Sequence, residues 1–178
     1  MKTNRTLKLI TLTAAIFGFA ATSFGQSSAT ASLVDASATI ISPITITNTN
    51  SLNFGVIVPD DDAAGTVILP ATAGTPTRTT TGGANVLTIQ TGNPTAASFN
   101  VAGANGYSYA VTVPANGVVS LTGDGDAMAV DNFTTSLTSN KGTIGTNNTF
   151  YVGATLSVGA AQVVGTYSAT FDVTVAYE

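Results

Sequence analysis

The last fourteen residues, Gly165 to Glu178, read GTYSATFDVTVAYE, and every second one is apolar: Tyr167, Ala169, Phe171, Val173, Val175 and Tyr177. Thr166, Ser168, Thr170, Asp172, Thr174 and Ala176 stand between them. Successive side chains on a strand point to opposite faces, so this spacing predicts one strand with an apolar face and a wet face. Burying Phe171, Val173 and Val175 is worth roughly 5–9 kcal/mol before the cost of ordering them. A final strand this regular lies inside a sandwich or is paired with something, and the functional question is which.

The same alternation runs back through the chain in short pieces. Val34, Ala36, Ala38, Ile40, Ile44 and Ile46 share one parity. Pro43, on the other parity, removes a backbone donor, so this first strand is at an edge or is broken there. Asn48-Thr49-Asn50 reads as a turn, Leu52–Val58 as a second strand, and Gly65–Leu69 as a third after Pro59 and Asp60-Asp61-Asp62. A poor edge strand is expected around Thr77–Thr81. Val86–Gln90, Ser98–Val101, Tyr107–Val113, Val118–Leu121, Met128–Leu137 and Thr149–Val158 follow, with Gly, Asn and Pro turns between them. Ala160–Val163 is the one stretch suited to a helical turn. About nine or ten short strands at regular spacing predict an all-β, antiparallel sandwich, in a single domain over residues 34–178.

The start of the chain is read differently. Lys2, Arg5 and Lys8 precede an apolar run from Leu9 to Ala21, and Ser23-Phe24-Gly25 offers small residues before Gln26. This is the pattern of a secretory signal peptide over residues 1–25, too short for a comfortable membrane span. Cleavage there leaves a leader over residues 26–33 and no stable transmembrane segment. The expected location is periplasm, cell surface or medium. Residues 26–178 keep only Arg78 and Lys141 against nine carboxylates, a net charge of −7. Such a chain has no patch to neutralise phosphates, so nucleic acid is excluded as a partner.

Nothing in the sequence assembles a catalytic centre. There is no His and no Cys, so the common triads and zinc sites have no ligands or bases. Lys141, in Ser139-Asn140-Lys141-Gly142, reads as a solvated turn charge. Asp60-Asp61-Asp62, and Asp124/Asp126 with Asp131, match no complete calcium loop. No catalytic residue, metal or cofactor is expected.

Two resemblances attach to these residues. The series PITITNTNSLNFGVIVP (43–59), GTVIL (65–69), VDNF (130–133) and VGATLSVGA…GTYSATFDVTVAYE (152–178) resembles the bacterial secreted family called domain of unknown function 4402. That family carries no established activity. Its kinship with spore-coat-U-like and pilin-like sandwiches implies an immunoglobulin-like fold and a structural role at the cell surface. The terminal motif, in turn, is similar to that of chaperone–usher pilus subunits, with Tyr177 penultimate and Gly165 fourteenth from the end. What this implies is strand addition: a periplasmic chaperone or a like subunit donates a strand beside the last one. Gly165, Tyr167, Phe171, Val173, Val175 and Tyr177 then form the accepting interface, and Ala29, Ala31 and Leu33 of the leader the donor. The chain departs from the pilus pattern in having no disulfide and a short leader of small anchors. Val34–Ile41 is the alternative donor, with the fold then starting at Ile44.

Three functional readings follow. The first is a non-enzymatic structural subunit of a pilus-like or other surface assembly. The second is a self-contained sandwich that binds a glycan or a surface protein, for which Tyr107, Tyr109 and Tyr151 are candidate exposed aromatics. The third, an eight-stranded outer-membrane barrel, is disfavoured by short strands, few aromatics and a final Glu.

Overall fold

The computed structural model describes residues 28–30, 32–86 and 91–178. The signal-peptide reading, Ala31 and most of the Val86–Gln90 strand lie outside these residues. Contacts divide the chain into Met1–Ala38 and Thr39–Glu178. The described part of the first unit holds no strand and is exposed throughout. The strands and the site described below belong to the second.

The second unit is all-β and antiparallel. Its strands are β1 (Thr45–Asn50), β2 (Gly65–Leu69), β3 (Thr79–Gly82), β4 (Ala97–Ala102) and β5 (Ser108–Thr112), then β6 (Val119–Leu121), β7 (Met128–Thr135), β8 (Lys141–Thr143), β9 (Thr149–Val158) and β10 (Thr174–Tyr177). The larger sheet contains β1-β4-β9-β2-β3, with β7 on the other edge of β9 and β6 beyond β7. The smaller sheet is β10-β5-β8. Both sheets have open edges, so the described strands close into no barrel. Among the described residues, no helix is long and apolar enough to cross a membrane.

The hub is β9. Its inward residues Phe150, Val152, Ala154, Leu156 and Val158 are all buried, at 0–4% exposure. One edge pairs with β7. The other pairs first with β4 (Phe99 opposite Phe150) and then with β2 (Leu69 opposite Ala154). Gly153 sits at the changeover, where a Cβ would lie 2.2 Å from the Leu69 carbonyl oxygen. Paired on both edges and buried along one face, β9 reaches both halves of the core.

Those halves are built differently. One half lies between the two sheets. Phe99, Val101, Phe150 and Val152 of the larger sheet meet Tyr109 and Val111 of β5, with Val173, Val175 and Tyr177 packed against them. The Phe99 and Phe150 rings stack at 5.4 Å. Tyr109 crosses Gly142 of β8, which has no Cβ to obstruct the ring. The other half gathers Val67, Leu69, Val119, Met128, Val130, Leu156 and Val158 from the larger sheet. The smaller sheet does not extend over it.

Several expected elements differ. Val34–Ile44 forms no strand; β1 starts at Thr45. Pro43, two residues before β1, has no backbone N–H to give a ladder, and Leu33 adopts φ 62°, outside the extended range of a strand. Asn48-Thr49-Asn50 is strand rather than turn, because Asn48 and Thr49 side chains bond the Ser98 carbonyl of β4. Leu52–Val58 is extended but makes only isolated bridges, Asn53 with Thr95 and Val58 with Asn85. Ala160–Val163 is not helical; Ala161 has φ 49°. Finally, the terminal strand is not continuous. Only Thr174–Tyr177 is laddered, for a reason that lies in the site itself.

Candidate interaction site along the C-terminal segment

The side-chain alternation of the terminal segment survives in three dimensions. Tyr167, Phe171, Val173, Val175 and Tyr177 are half-buried, and the residues between them are exposed. Ala169 is exposed as well. The backbone behaves otherwise. Between Gly165 and Val173 it pairs at one point, where Ser168 and Thr122 exchange N–H···O bonds of 3.0 Å. Thr122 follows β6, so this end of the segment lies beside the larger sheet. Past Phe171 the chain joins the smaller sheet, where β10 pairs with β5. Phe171 packs against both halves of the core, with its ring 5.0 Å from that of Phe133. The terminal stretch thus changes sheets midway, and the ladder is interrupted where it crosses.

Within β10 the bonding direction is fixed by Glu178, whose N–H donates to the Ser108 carbonyl at 3.2 Å. Antiparallel pairs alternate between bonded and non-bonded, so Thr174 and Ala176 also point their backbone groups at β5. Val173, Val175 and Tyr177 point theirs at the free edge. Tyr177 closes one end of this edge. Its hydroxyl accepts from the Ala104 N–H at 2.6 Å and donates to the Ser42 carbonyl at 2.8 Å. Its ring stands edge-on to Tyr107 at 6.0 Å. Gly103 leaves room for the phenol.

At the other end the segment is held by small residues. The Tyr167 ring lies over Gly123 and Gly125, where any Cβ would collide with it. Its hydroxyl donates to the Val163 carbonyl at 2.8 Å and accepts from Gln162 Nε2 at 3.0 Å. Gly165 faces the Asp124 carboxylate, which occupies the space a Cβ would take. The glycines of Gly123-Asp124-Gly125-Asp126 therefore serve packing against the terminal segment. Among the described residues, no group of three or more His, Cys, Asp or Glu could hold a metal ion.

Opposite this segment stands Leu52–Pro59, and between the two lies a cavity of about 560 Å³. Its floor is the inner face of β6, β7 and β9: Val119, Leu121, Met128, Val130, Leu156 and Val158. Thr166–Ala169 and Phe171 form one wall, and Leu52–Ile57 with Pro59 the other. No charged residue lines it. Val56, Val163 and Val164 are 42%, 53% and 91% exposed at its rim. In place of a second sheet, this half of the core is covered by two segments that make few ladder bonds, with an apolar slot between them.

Arg78 fixes the far wall. It is 3% exposed. Its Nη1 donates to the Phe54 and Val56 carbonyls at 2.6 and 2.9 Å, and its Nη2 to the Thr91 carbonyl at 3.2 Å. Burial pushes its guanidinium below the usual value. Gly55, at φ 75°, lets this bend approach Thr91 and Arg78. Sequence reasoning counted Arg78 only as a charge. The one signal available was a lone cation in a Thr-rich edge strand.

The structure brings Gly165, Tyr167 and Phe171 to the slot and sets Val173, Val175 and Tyr177 along the β10 edge. Ala29 and Leu33 are exposed, Leu33 at 97%. Of the candidate aromatics, Tyr109 is core at 2% exposure and Tyr107 is 43% exposed.

The sequence profile described as Domain of unknown function (DUF4402) matches residues 44–177, from just before β1 to the end of β10. The chain belongs to this family. No curated protein and no solved structure matches it. The match covers both walls and the floor of the slot, so the slot is contained within the DUF4402 domain.

Proposed function

We propose that this DUF4402 domain is a non-enzymatic, exported structural subunit of a pilus-like or other cell-surface assembly, and that it accepts a strand along its C-terminal segment. The observation that carries this reading is the slot. Half of the core lies under a gap between Leu52–Pro59 and Thr166–Phe171. Apolar surface left in water costs roughly 25 cal/mol per Å², and unpaired strand edges recruit strands. An added strand meets both demands: main-chain bonds along the edges and alternate side chains into the slot. A periplasmic chaperone holding the subunit before assembly, and like subunits afterwards, fit this geometry.

The test is the mass of the purified exported protein by light scattering, before and after boiling in detergent. Heat-labile multiples of the monomer are expected. A monomer at all concentrations, with amide protons of Gly165–Val173 as slow to exchange as those of β9, would refute strand acceptance. The exposed Tyr107 ring favours a second reading, a sandwich that binds a glycan. Glycan-array binding lost in Tyr107→Ala would support it.

A further inference from the structure

A second cavity, of about 590 Å³, opens on the outer face of the larger sheet. Its floor is one row across the ladder. Thr66 stands opposite Thr81 on one side and Ser157 on the other. Their strand neighbours Val67, Leu156 and Val158 are core, so the three hydroxyls point outward. Ala129, beside buried Val130 on β7, lines the same floor. The loop Gly159–Val163 forms a wall and is held at two points. The Ala161 N–H donates to the Asp60 carbonyl at 2.8 Å. Gln162 Nε2 donates to the Asp126 carbonyl at 2.7 Å and to the Tyr167 hydroxyl at 3.0 Å.

The polar groups around this hollow are chiefly acceptors. Both N–H groups of Gln162 are spent, which leaves its Oε1, 3.0 Å from where a Cβ on Gly159 would stand. Asp126 is the one charged residue of the lining, and neither Lys nor Arg reaches it. The Thr66 and Thr81 hydroxyls bond each other at 2.6 Å, so the pair keeps one O–H to donate. Between these groups lie the methyls of Ala127, Ala129 and Ala160. Ligand sites of roughly 300–1,000 Å³ combine apolar surface with a few placed polar groups in this way.

We propose that the hollow binds a neutral saccharide. Sugar hydroxyls donate to the Asp126 carboxylate and to Gln162 Oε1, and the C–H face of a ring lies on the alanine methyls. An anionic ligand would meet a carboxylate with no cation to offset it. A wholly apolar one would take the Asp126 carboxylate out of water without a partner. This site goes beyond strand acceptance and does not depend on it. It is also distinct from the Tyr107 ring, which precedes β5 of the smaller sheet and lines no part of the hollow.

The experiment exposes the full exported chain to an array of neutral, sialylated and sulfated glycans, then titrates the tightest neutral hit by calorimetry. Neutral glycans should bind, and acidic forms of the same core should bind far more weakly. In the wild type, the amide resonances that shift should centre on Thr66, Thr81, Ser157 and Gln162, a readout that needs no variant to fold. Asp126→Asn should weaken binding about tenfold or more, as expected for a lost hydrogen bond to a charged group. Ala129→Leu fills the hollow and should abolish binding, whereas Tyr107→Ala should leave it unchanged. Asp126 is exposed and Ala129 is half-buried on the outer face, so both variants are expected to keep the wild-type circular dichroism. An array with no neutral hit, or acidic glycans bound as tightly, would overturn the proposal. Loss in Tyr107→Ala with binding intact in Ala129→Leu would move the site to Tyr107 and overturn the hollow. Spermidine shifting the same amides at lower concentration than any glycan would make the ligand an amine and overturn the saccharide.

Discussion

Two buried polar side chains show how single residues support the site. Arg78 holds the bend at Phe54–Val56 through three carbonyls, in a fork that an ammonium group does not reproduce. Hydrogen bonds to charged groups contribute about 1.5–3 kcal/mol each. Arg78→Lys is therefore expected to cost about 2–3 kcal/mol, seen as a lower urea midpoint, and to speed exchange at Val56 and Val58. An unchanged midpoint would remove Arg78 from the wall. Tyr109 gives a pH prediction. Burial pushes its phenol up from the ordinary value, whereas the unfolded phenol ionises near pH 10. The preference of the fold for neutral Tyr109 is fully present below about pH 10 and is lost as pH climbs through the raised folded-state value. Wild-type stability should then fall more steeply above pH 10 than that of Tyr109→Phe. Parallel pH profiles would assign the alkaline loss to other groups.

At the scale of elements, the contrast is between β9 and the terminal segment. Gly153→Ala would push a methyl group into the Leu69–Ala71 backbone at the changeover from β4 to β2. Overpacking of this kind costs about 1–3 kcal/mol or more, and the loss should appear as a lowered Tm; a Tm within a degree of wild type would contradict that geometry. The two stretches look alike in sequence, since each alternates cleanly. Phe150, Val152, Ala154, Leu156 and Val158 repeat every second residue just as Tyr167 to Tyr177 do. Periodicity reports which side chains face in, and it holds for all of β9 and for the terminal segment except Ala169, which is exposed. It does not report which edges find partners, because pairing is set by chain segments far away in sequence. Hence the bounds of β2 and β9 were legible residue for residue, whereas the terminal stretch was read as one strand. The wall at Leu52–Pro59 was legible as extended backbone, but the absence of a ladder on it was not. Asn48–Asn50 misled because side chains that usually favour turns instead bond a neighbouring strand.

At the scale of the molecule, charge sets how copies meet. Residues 26–178 carry two cations against nine carboxylates, so two copies of the exported subunit proposed above, starting at Gln26, approach with a charge of −7 each. The strand-accepting contact proposed above is apolar, with a slot free of charged residues in its lining. Repulsion therefore acts on the encounter, and apolar burial acts on the bound state. Salt screens exposed charges beyond a Debye length of about 30 Å at 0.01 M and about 8 Å at 0.15 M. The association rate should rise severalfold over that range, with the dissociation rate nearly constant. This is the reverse of complexes steered together by opposite charges, which slow as salt rises. Following the decay of monomer by light scattering at fixed pH and protein concentration checks it. Association that slows with added salt would mean that opposite charges meet in the contact. The apolar slot would then not be where the copies join.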